Sequence, residues 1–552
     1  MTLTLRRSGV PDRVHARLLG TAVTGLLLVG ATAHAQGATP PDASLGLVPV
    51  RIDAPPPGEA RLDDALRAIA RDPANHTDSL RVLVLGRTQL LAPRGGLEAF
   101  QRAHDRTDRR VMRTAVVRTL QHIASTEQAR LLRALNRDSA DRSLWIANAM
   151  SLTVHPRELQ TLSVLDDVAF VYDGAEVLPP RAPHAPILVV PEAPPAPRFT
   201  VAGRRVAWNV QHLNAPRAWT ELGATGEGAV IAVLDNGANY AHTDLRARLW
   251  RNAAEIPNNA RDDDGNGWVD DVYGYNFGAT SPQVRNTGRP RQHGTMTAGI
   301  ALGDGTGGII TGVAPRARLM LLQITGGNVD ASGNRPIGAA LAYEYALAQG
   351  ADVLSMSFSL PRLGHRRGFW RMISDHAVAG GLFLVGGAGN FRVTDTIPVQ
   401  HQSPKDVPSV VSVGGIDTLG VLRPFSSMGP AEWSGVALYG DYSMPDGLIK
   451  PDLVAFPGEG FPVLGLEDRG YIDTDTVRIR GNSFAGPQVA GVAALILGEQ
   501  PTLPVWRVRA LIEQTARDLG GPGKDNAFGF GLVDAFQAVR RAREVSAAAR
   551  PR

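Results

Sequence analysis

The sequence predicts a small α+β domain followed by a larger α/β domain with a mainly parallel central sheet. The larger domain is indicated by stretches that are apolar on both faces, which is typical of strands covered by helices on both sides. These strand-like stretches are 228–235, 317–325, 351–359, 381–390 and 409–417. Helical segments at 337–349 and 368–379 separate some of them.

The small domain is predicted from shorter patterns between residues 61 and 176. Residues 126–138 and 156–167 have the apolar spacing of helices that bury one face. Strand-like stretches occupy 81–86, 143–154 and 168–174. Strands that alternate with helices in a segment of this length indicate a compact α+β unit.

The first 35 residues have the pattern of a cleavable secretory signal peptide. Four arginines precede an apolar stretch from Leu18 to Ala33, and the small-residue pattern Ala33-His34-Ala35 ends it. A permanent membrane anchor is the weaker alternative, because the apolar stretch is short for a bilayer span and is interrupted by glycine and threonine. We therefore expect a secreted protein, extracellular or periplasmic.

Two segments separate the predicted units. Residues 36–60 are rich in proline, alanine and glycine, so we expect them to be disordered. Residues 177–203 are rich in proline and form an expected linker that proteases can reach. The larger domain is then expected over residues 204–545.

Composition excludes several kinds of chemistry. The 552 residues include no cysteine, which excludes a cysteine nucleophile, a thiolate metal site and disulfide bonds. The net charge of +4 is small for this length, and no basic run is interleaved with aromatic residues. No nucleic-acid partner is therefore expected.

Three residues of the larger domain have the side-chain chemistry of a serine hydrolase. Asp235 ends a strand-like stretch, His293 begins a helical one, and Ser483 lies just before an apolar helix. A serine nucleophile needs a base for its proton and a carboxylate to orient that base. Each residue also has an ordinary alternative: a turn cap for the aspartate, a structural role for the histidine, and a helix cap for the serine.

The segments around these residues resemble the Asp, His and Ser boxes of the subtilases, the subtilisin-like serine endopeptidases, in the family's order. The likeness covers roughly residues 205–540 and includes the segments VGGAGN, SMSFS, FSSMGP, KPDLVAFPG and GFGLVDAFQAV. The resemblance implies a subtilisin-like three-layer sandwich and the hydrolysis of peptide bonds through an acyl-enzyme.

The resemblance also implies a role for each site residue. Ser483 attacks the scissile carbonyl, His293 acts as general base and then general acid, and Asp235 fixes the imidazole tautomer. Asn390 holds the oxyanion together with the backbone N–H of Ser483. The residues expected to line the substrate groove are Ser355, Met356, Ser357, Gly387, Ala388 and Gly389. Extended polypeptides are the expected substrates.

Four residues near the reacting groups depart from the family's pattern. Asn236 stands where serine or threonine is usual, and Asn482 where threonine is usual. Phe484 replaces a methionine, and Gln488 replaces a histidine. No reacting group is lost, but the surroundings of the nucleophile differ.

An acidic segment, residues 262–271, follows the spacing of the first nine positions of a calcium loop. Tyr273 stands where such a loop has its bidentate glutamate. A solvated acidic turn is the alternative, but several subtilases resemble the chain here. We therefore predict a structural calcium ion, with no cofactor for catalysis. The expected ligands are Asp262, Asp264, Asn266 and Asp270.

Residues 81–175 resemble the inhibitory propeptide of subtilases, which implies a ferredoxin-like fold for the domain over 61–176 and a maturation site in the linker. An unrelated α+β partner domain is the alternative. The chain is thus predicted to be a monomeric serine endopeptidase made as a self-processed precursor that its own propeptide inhibits. Its alternative is a scaffold protein of the same fold without activity. An esterase is disfavoured, because the G-x-S-x-G elbow is missing.

Overall fold

The computed structural model of the chain describes residues 45–76, 78–174, 187–189, 203–287, 292–324, 336–458, 460–465, 467–476 and 479–548. All of these residues belong to one compact unit. The predicted signal peptide and most of the predicted linker lie outside the described residues. No helix in the described ranges is both long and apolar enough to cross a membrane.

Residues 45–174, here called the N-terminal domain, form an antiparallel four-stranded sheet with the order β4-β5-β2-β6. Its elements are β1 Val50–Arg51, α1 Asp64–Arg71, β2 Leu80–Gly86, β3 Thr88–Gln89, α2 Gly96–Ala103, α3 Arg109–Ala134, β4 Arg142–Leu144, β5 Ala149–Val154, α4 Glu158–Val164 and β6 Val168–Asp173. The succession β2-α3-β4-β5-α4-β6 has the ferredoxin-like order that the sequence predicts.

Residues 203–548, here called the C-terminal domain, contain a seven-stranded sheet with the order β15-β14-β13-β12-β8-β11-β9. Its first elements are β7 Arg205–Val206, α5 Trp208–His212, α6 Ala215–Leu222, β8 Val230–Asp235, β9 Gly274–Asn276, α7 His293–Leu302, β10 Ile309–Ile310, β11 Arg318–Gln323, α8 Pro336–Ala348 and β12 Val353–Met356. The remaining elements are α9 Arg367–Ala379, β13 Phe383–Gly387, β14 Val411–Gly415, β15 Leu453–Ala455, β16 Pro462–Leu464, β17 Tyr471–Asp473, α10 Ala485–Glu499, α11 Val505–Thr515 and α12 Ala535–Ala548.

Every strand pair in the seven-stranded sheet is parallel, so the predicted α/β sandwich is confirmed. Strand β11 lies on one side of β8, and the next strand of the sheet along the chain, β12, lies on the other side. The direction in which successive strands are placed therefore reverses between β8 and β12. In open parallel sheets, ligands bind at the carboxyl ends of the strands beside such a reversal. Asp235 is the last residue of β8, which places it at this edge.

Two details of the N-terminal domain correct the predictions. Residues 45–60 are ordered, although the sequence predicts disorder over 36–60, because Leu47 and Ile52 are buried and β1 pairs with β3. The predicted strand over 143–154 is two strands, since Asn148, with a φ of 44°, turns the chain between them. In residues 45–60, the burial of apolar side chains thus orders the chain in spite of its proline content.

The N-terminal domain packs against helices α8 and α9 of the C-terminal domain. Buried polar groups are paired there: the Glu344 carboxylate accepts from the N–H of Ile146 at 2.8 Å, and the Arg109 guanidinium lies 2.6 Å from Asp352. His376 accepts from the N–H of Leu91, and burial lowers its pKa to about 4. The contact therefore buries a neutral imidazole and a paired guanidinium.

Asp452 joins the end of the sheet to α11. Its buried carboxylate accepts from the Ser412 N–H at 2.8 Å and from Lys450 Nζ at 2.7 Å. Arg509 and Lys524 donate to its other oxygen at 2.9 and 2.7 Å. Burial opposes the charge, but these three cations hold the pKa of Asp452 well below its usual range.

We predict that Asp452→Asn costs about 3–5 kcal/mol of stability, because three cations would lose their shared buried anion. The melting temperature, measured on the Ser483→Ala background that removes the predicted nucleophile, should fall by several degrees. The depressed pKa means that this stabilisation is present above the carboxyl's unfolded pKa and is lost as the pH falls toward the folded one. The control is Asp446→Asn at an exposed carboxyl. Equal melting temperatures for the two variants would contradict the assignment.

Candidate active site

A cleft of about 440 Å³ opens at the carboxyl edge of the parallel sheet. It brings together the residues that the sequence predicts as nucleophile, base, carboxylate and oxyanion donor. The lining residues are Asp235, Asn236, His293, Ser357, Phe358, Ser359, Pro361, Gly387, Gly389, Asn390, Phe391, Gln402 and Ser483.

Asp235 and His293 form a paired carboxylate and imidazole. His293 begins α7, and its Nδ1 lies 2.9 and 2.8 Å from the two carboxylate oxygens of Asp235. The same carboxylate accepts from the Asn236 N–H at 2.7 Å and from Thr297 Oγ1 at 3.2 Å. Because Nδ1 faces the carboxylate, it carries the proton of the neutral ring, and Nε2 is the basic nitrogen.

Ser483 lies in a short 3₁₀ turn, Asn482–Phe484, that leads directly into α10. The turn is pressed against β13: a Cβ atom on Gly387 would overlap the carbonyl of Asn482, and one on Gly486 would lie 2.7 Å from the Gly387 nitrogen. Ser357 Oγ donates to the Ser483 carbonyl at 2.8 Å. These contacts fix the serine at the positive end of a helix, where developing negative charge is stabilised.

Asn390 follows β13 and is exposed in the same cleft. Its Oδ1 accepts from the Asn482 N–H at 2.9 Å, which fixes the orientation of the amide. Within the described ranges, its Nδ2 makes no hydrogen bond. Its NH₂ group is therefore available to an oxygen bound beside Ser483.

A model of the subtilase family matches residues 226–531. The chain belongs to the subtilase family. This match covers the parallel sheet from just before β8 to just before α12, together with every lining residue of the cleft.

Curated relatives agree with the family. The chain is 28% identical to fervidolysin of Fervidobacterium pennivorans, over 60% of this chain and 43% of fervidolysin. It is 28% identical to subtilisin DY of Bacillus licheniformis, over 58% of this chain and 93% of that protein. It is 26% identical to a calcium-dependent protease of Nostoc sp., over 62% and 50% of the two chains. The match thus spans half or less of the length of fervidolysin and of the Nostoc protein.

Two residues that depart from the subtilase pattern form hydrogen bonds with the segments that carry the site residues. Asn236 Oδ1 accepts from the N–H of Gly294 at 2.9 Å, so it caps the first turn of the helix that begins with His293. Asn482 Nδ2 donates to the Gly389 carbonyl at 2.8 Å and to Ser426 Oγ at 3.0 Å. An amide thus joins the serine turn to the segment that carries Asn390.

The other two departures lie on the opposite side of Ser483. The Phe484 ring stacks on the His293 imidazole, with centroids 5.9 Å apart and planes at 23°. Gln488 Nε2 donates to the carbonyls of Phe456 and Phe484 at 2.6 and 2.8 Å. The unusual residues therefore make specific contacts that support the turn and the imidazole.

Three of the predicted groove residues do not line the cleft. Ser355 and Met356 are buried within β12, which is covered on both faces, and Tyr343 donates to the Met356 sulfur at 2.8 Å. Ala388 is buried, and its N–H donates to Val413. The other three predicted residues do line it. The lining residues that the sequence analysis did not single out are Phe358, Ser359, Pro361, Phe391 and Gln402.

The acidic segment also differs from the prediction. The Asp270 carboxylate is fully buried and accepts from the N–H groups of Asn259 and Ala260 at 3.1 and 3.0 Å, so it caps a turn. Glu255 instead has a carboxylate oxygen within 4.8 Å of those of Asp262 and Asp264. No spacing rule predicts Glu255, because it precedes the loop.

Asn266 ties this cluster to buried neighbours. Its Oδ1 accepts from the Trp268 N–H at 2.7 Å, and its Nδ2 donates to Asp264 and Asp271, each at 3.0 Å. Burial raises the pKa of Asp271 to about 6, although Tyr345 donates to it. Asn266 thus holds the loop in shape, while the three carboxylates provide hard oxygen ligands that fit a calcium ion.

The Asp235 carboxylate sets the protonation of His293. Burial lowers the pKa of the imidazole, but the charge and hydrogen bond of Asp235 outweigh burial, so the pKa is raised above its usual value of about 6.5. The neutral form that can accept a proton is therefore populated only as the pH rises through this raised pKa. A reaction that uses His293 as base gains rate over the same range.

We predict that Asp235→Asn lowers the pKa of His293 below about 6.5, because burial then acts without the compensating charge. The measurement is an NMR titration of labelled histidine rings on the Ser483→Ala background, which needs no activity. The matched control, Asp446→Asn, should leave the raised pKa unchanged. A His293 resonance that titrates alike in all three proteins would show that Asp235 does not govern the ring.

Proposed function

We propose that the chain is a secreted serine endopeptidase that hydrolyses peptide bonds with Asp235, His293 and Ser483. The observation that carries the proposal is the joint placement of these residues with Asn390 around one cleft. Family membership supports it, because the matched region contains all four residues. The four residues that differ from the subtilase pattern support the serine turn and the imidazole through specific contacts, which argues against the alternative of an inactive scaffold.

The first half of the proposed reaction forms an acyl-enzyme. Ser483 Oγ attacks the scissile carbonyl carbon while His293 Nε2 takes the hydroxyl proton. The carbonyl oxygen becomes an oxyanion, which accepts from Asn390 Nδ2 and the Ser483 N–H; such a donor contributes a factor of about 10²–10³ to kcat. The imidazolium, stabilised by Asp235, then gives its proton to the leaving amine as the C–N bond breaks.

The second half releases the product acid. Water enters in place of the amine and loses a proton to His293 Nε2 as its oxygen attacks the ester carbonyl. The same two donors hold the second oxyanion. The C–O bond to Ser483 breaks, the serine regains its proton from the imidazolium, and the site returns to its starting state.

We also propose that the N-terminal domain is an inhibitory propeptide that the enzyme removes. Its ferredoxin-like sheet ends at Asp173, and the carbonyl of the next residue, Gly174, accepts from Arg366 in the C-terminal domain at 3.1 Å. Asp63 and Asp64 line a second cavity that shares Pro361, Phe391 and Gln402 with the active-site cleft. The domain therefore borders one end of the proposed substrate groove.

We expect wild-type protein to lose a fragment that ends within residues 177–205, while Ser483→Ala keeps its full length apart from signal removal. The measurement is the intact mass of both proteins after incubation with calcium, followed by labelling with a fluorophosphonate. The matched control is Ser443→Ala, which alters an exposed serine and should be processed and labelled like the wild type. If the wild type stays whole and unlabelled, the serine is only a helix cap and the scaffold alternative holds.

A calcium ion is proposed as a structural ligand of the cluster Glu255, Asp262 and Asp264. Two curated relatives are named calcium-dependent proteases, and the three carboxylates converge. The ion would neutralise repelling charges and fix the loop, and it would take no part in bond breaking.

We predict that calcium raises the melting temperature of the Ser483→Ala protein, because an ion that binds only the folded state stabilises it. Glu255→Gln should abolish most of this rise. The control is Asp270→Asn, which removes a buried turn cap: it should lower the melting temperature without calcium but keep the rise. A rise lost in Asp270→Asn and kept in Glu255→Gln would restore the ligand set that the sequence predicts.

A further inference from the structure

A buried lysine lies beneath the cleft. Lys405 is only 1% exposed, and its side chain crosses β13 at Gly386, where an added Cβ would lie 3.2 Å from both Cγ and Cδ of the lysine. The next residue, Gly387, lines the cleft. The chain thus has room for a long basic side chain directly under the surface that faces the substrate.

The ammonium group of Lys405 contacts the wall of the cleft from behind. It donates to the carbonyl oxygen of Phe358 and, at 2.8 Å, to Ser359 Oγ. Both of these residues line the cleft. A single hydroxyl group therefore separates the positive charge from the space that a ligand would fill.

No carboxylate of the described residues forms an ion pair with this ammonium, although the charge of the adjacent Asp406 opposes the effect of burial on its pKa. Both acceptors are neutral oxygens, and the adjacent Asp406 carboxylate is already bound by Arg367 at 2.6 Å and by Ser403 at 2.8 Å. The other fully buried lysine, Lys450, has an ion pair of 2.7 Å with Asp452. Burying an unpaired charge is costly, and here burial lowers the pKa of Lys405 to about 7.

The cleft wall near Lys405 also lacks a negative charge. The lining residues on this side are Phe358, Ser359, Pro361, Phe391 and Gln402, and none of them is acidic. The acidic residue among the lining residues is Asp235, which is bound to His293. A carboxylate that enters this side meets the Lys405 ammonium behind Ser359. The acidic residues Asp395, Asp406 and Glu432 line only the adjoining cavity, and Asp63 and Asp64 there belong to the N-terminal domain.

The position of the wall identifies the substrate residue that would reach it. Phe358 follows Ser357, which contacts the Ser483 carbonyl, and Phe391 follows Asn390, the proposed oxyanion donor. A peptide whose carbonyl carbon lay at Ser483, with its oxygen toward Asn390, would have the side chain of that same residue near these two segments, because both adjoin the groups that hold the carbonyl. This is the residue on the acyl side of the cleaved bond.

We propose that Lys405 makes the enzyme selective for peptides with aspartate or glutamate on the acyl side of the scissile bond. The inference rests on the proposed function and adds the substrate class. The substrate carboxylate lies against Ser359, and the Lys405 ammonium behind that hydroxyl supplies the positive charge. The alternative is that Lys405 only anchors the segment 358–359, in which case it fixes the wall without selecting a charge.

The test compares peptides that differ only at the acyl-side residue, with glutamate, glutamine, aspartate, asparagine or leucine. We expect the mature wild-type enzyme to cleave the glutamate or aspartate peptide about 10- to 100-fold faster in kcat/KM than its amide counterpart. Lys405→Met should bring this ratio close to one and leave cleavage of the leucine peptide within a few fold. A wild-type enzyme that cleaves both members of each acid and amide pair equally overturns the proposal.

Two further variants separate charge selection from anchoring and from folding. Arg392→Met removes an exposed cation one residue from Phe391 and should leave the ratio unchanged. Ser359→Ala keeps the lysine but removes the intervening hydroxyl, so the ratio should fall even if Lys405→Met does not fold. An unchanged ratio in Lys405→Met, or equal losses for acid and leucine peptides there, would leave the lysine a mere anchor. If no peptide is cleaved and a fluorophosphonate does not label Ser483, it is the protease assignment itself that fails.

Discussion

The site depends on one close contact, that between the turn before α10 and strand β13. Gly387 and Gly486 lack side chains at the two points where these backbones meet, so the turn that carries Ser483 lies directly against the sheet. The sheet in turn places Asn390, which follows β13, beside the same turn. Packing a helix end against a strand edge therefore sets both the nucleophile and the oxyanion donor. A larger residue at either glycine would separate them.

Around this contact, each residue that departs from the subtilase pattern makes a hydrogen bond or a ring contact with a part of the site. Asn482 links the serine turn to Gly389, while Gln488 links the first turn of α10 to Phe456. Asn236 caps the helix of the catalytic base, and Phe484 stacks on that base. Amide side chains take over positions where the family uses hydroxyl or imidazole groups. The local hydrogen bonds change, but the reacting groups keep their places, which is why the departures leave the proposed chemistry possible.

The sequence predicts the parallel sheet well because its central strands are apolar on both faces. It does not predict β9 and β15, since each has only three residues and no clear period. At the site, ordered motifs identify Asp235, His293 and Ser483 in advance. At Asp270, spacing cannot tell whether a carboxylate points at a metal or at backbone N–H groups, and the structure shows that this carboxylate caps a turn. Glu255, which approaches Asp262, lies before the acidic loop, so the spacing of the calcium-loop motif does not include it.

The buried ionisable residues of the chain differ in the partners that surround them, and these differences correspond to their proposed roles. Asp452 is surrounded by cations and stabilises the sheet, while Asp235 is bound to His293 and raises its pKa. Glu344, which contacts the N-terminal domain without a cation, has its pKa raised by burial to about 8 and is therefore neutral at pH 7. Lys405 fits none of these cases, since its ammonium has only neutral acceptors beside an open cleft. A charge left unpaired next to a ligand site lowers stability when the site is empty, and a ligand of opposite charge recovers that loss on binding. Burial of Lys405 without an ion pair thus lowers the stability of the free enzyme, and an acidic substrate side chain would be preferred because it supplies the missing negative charge.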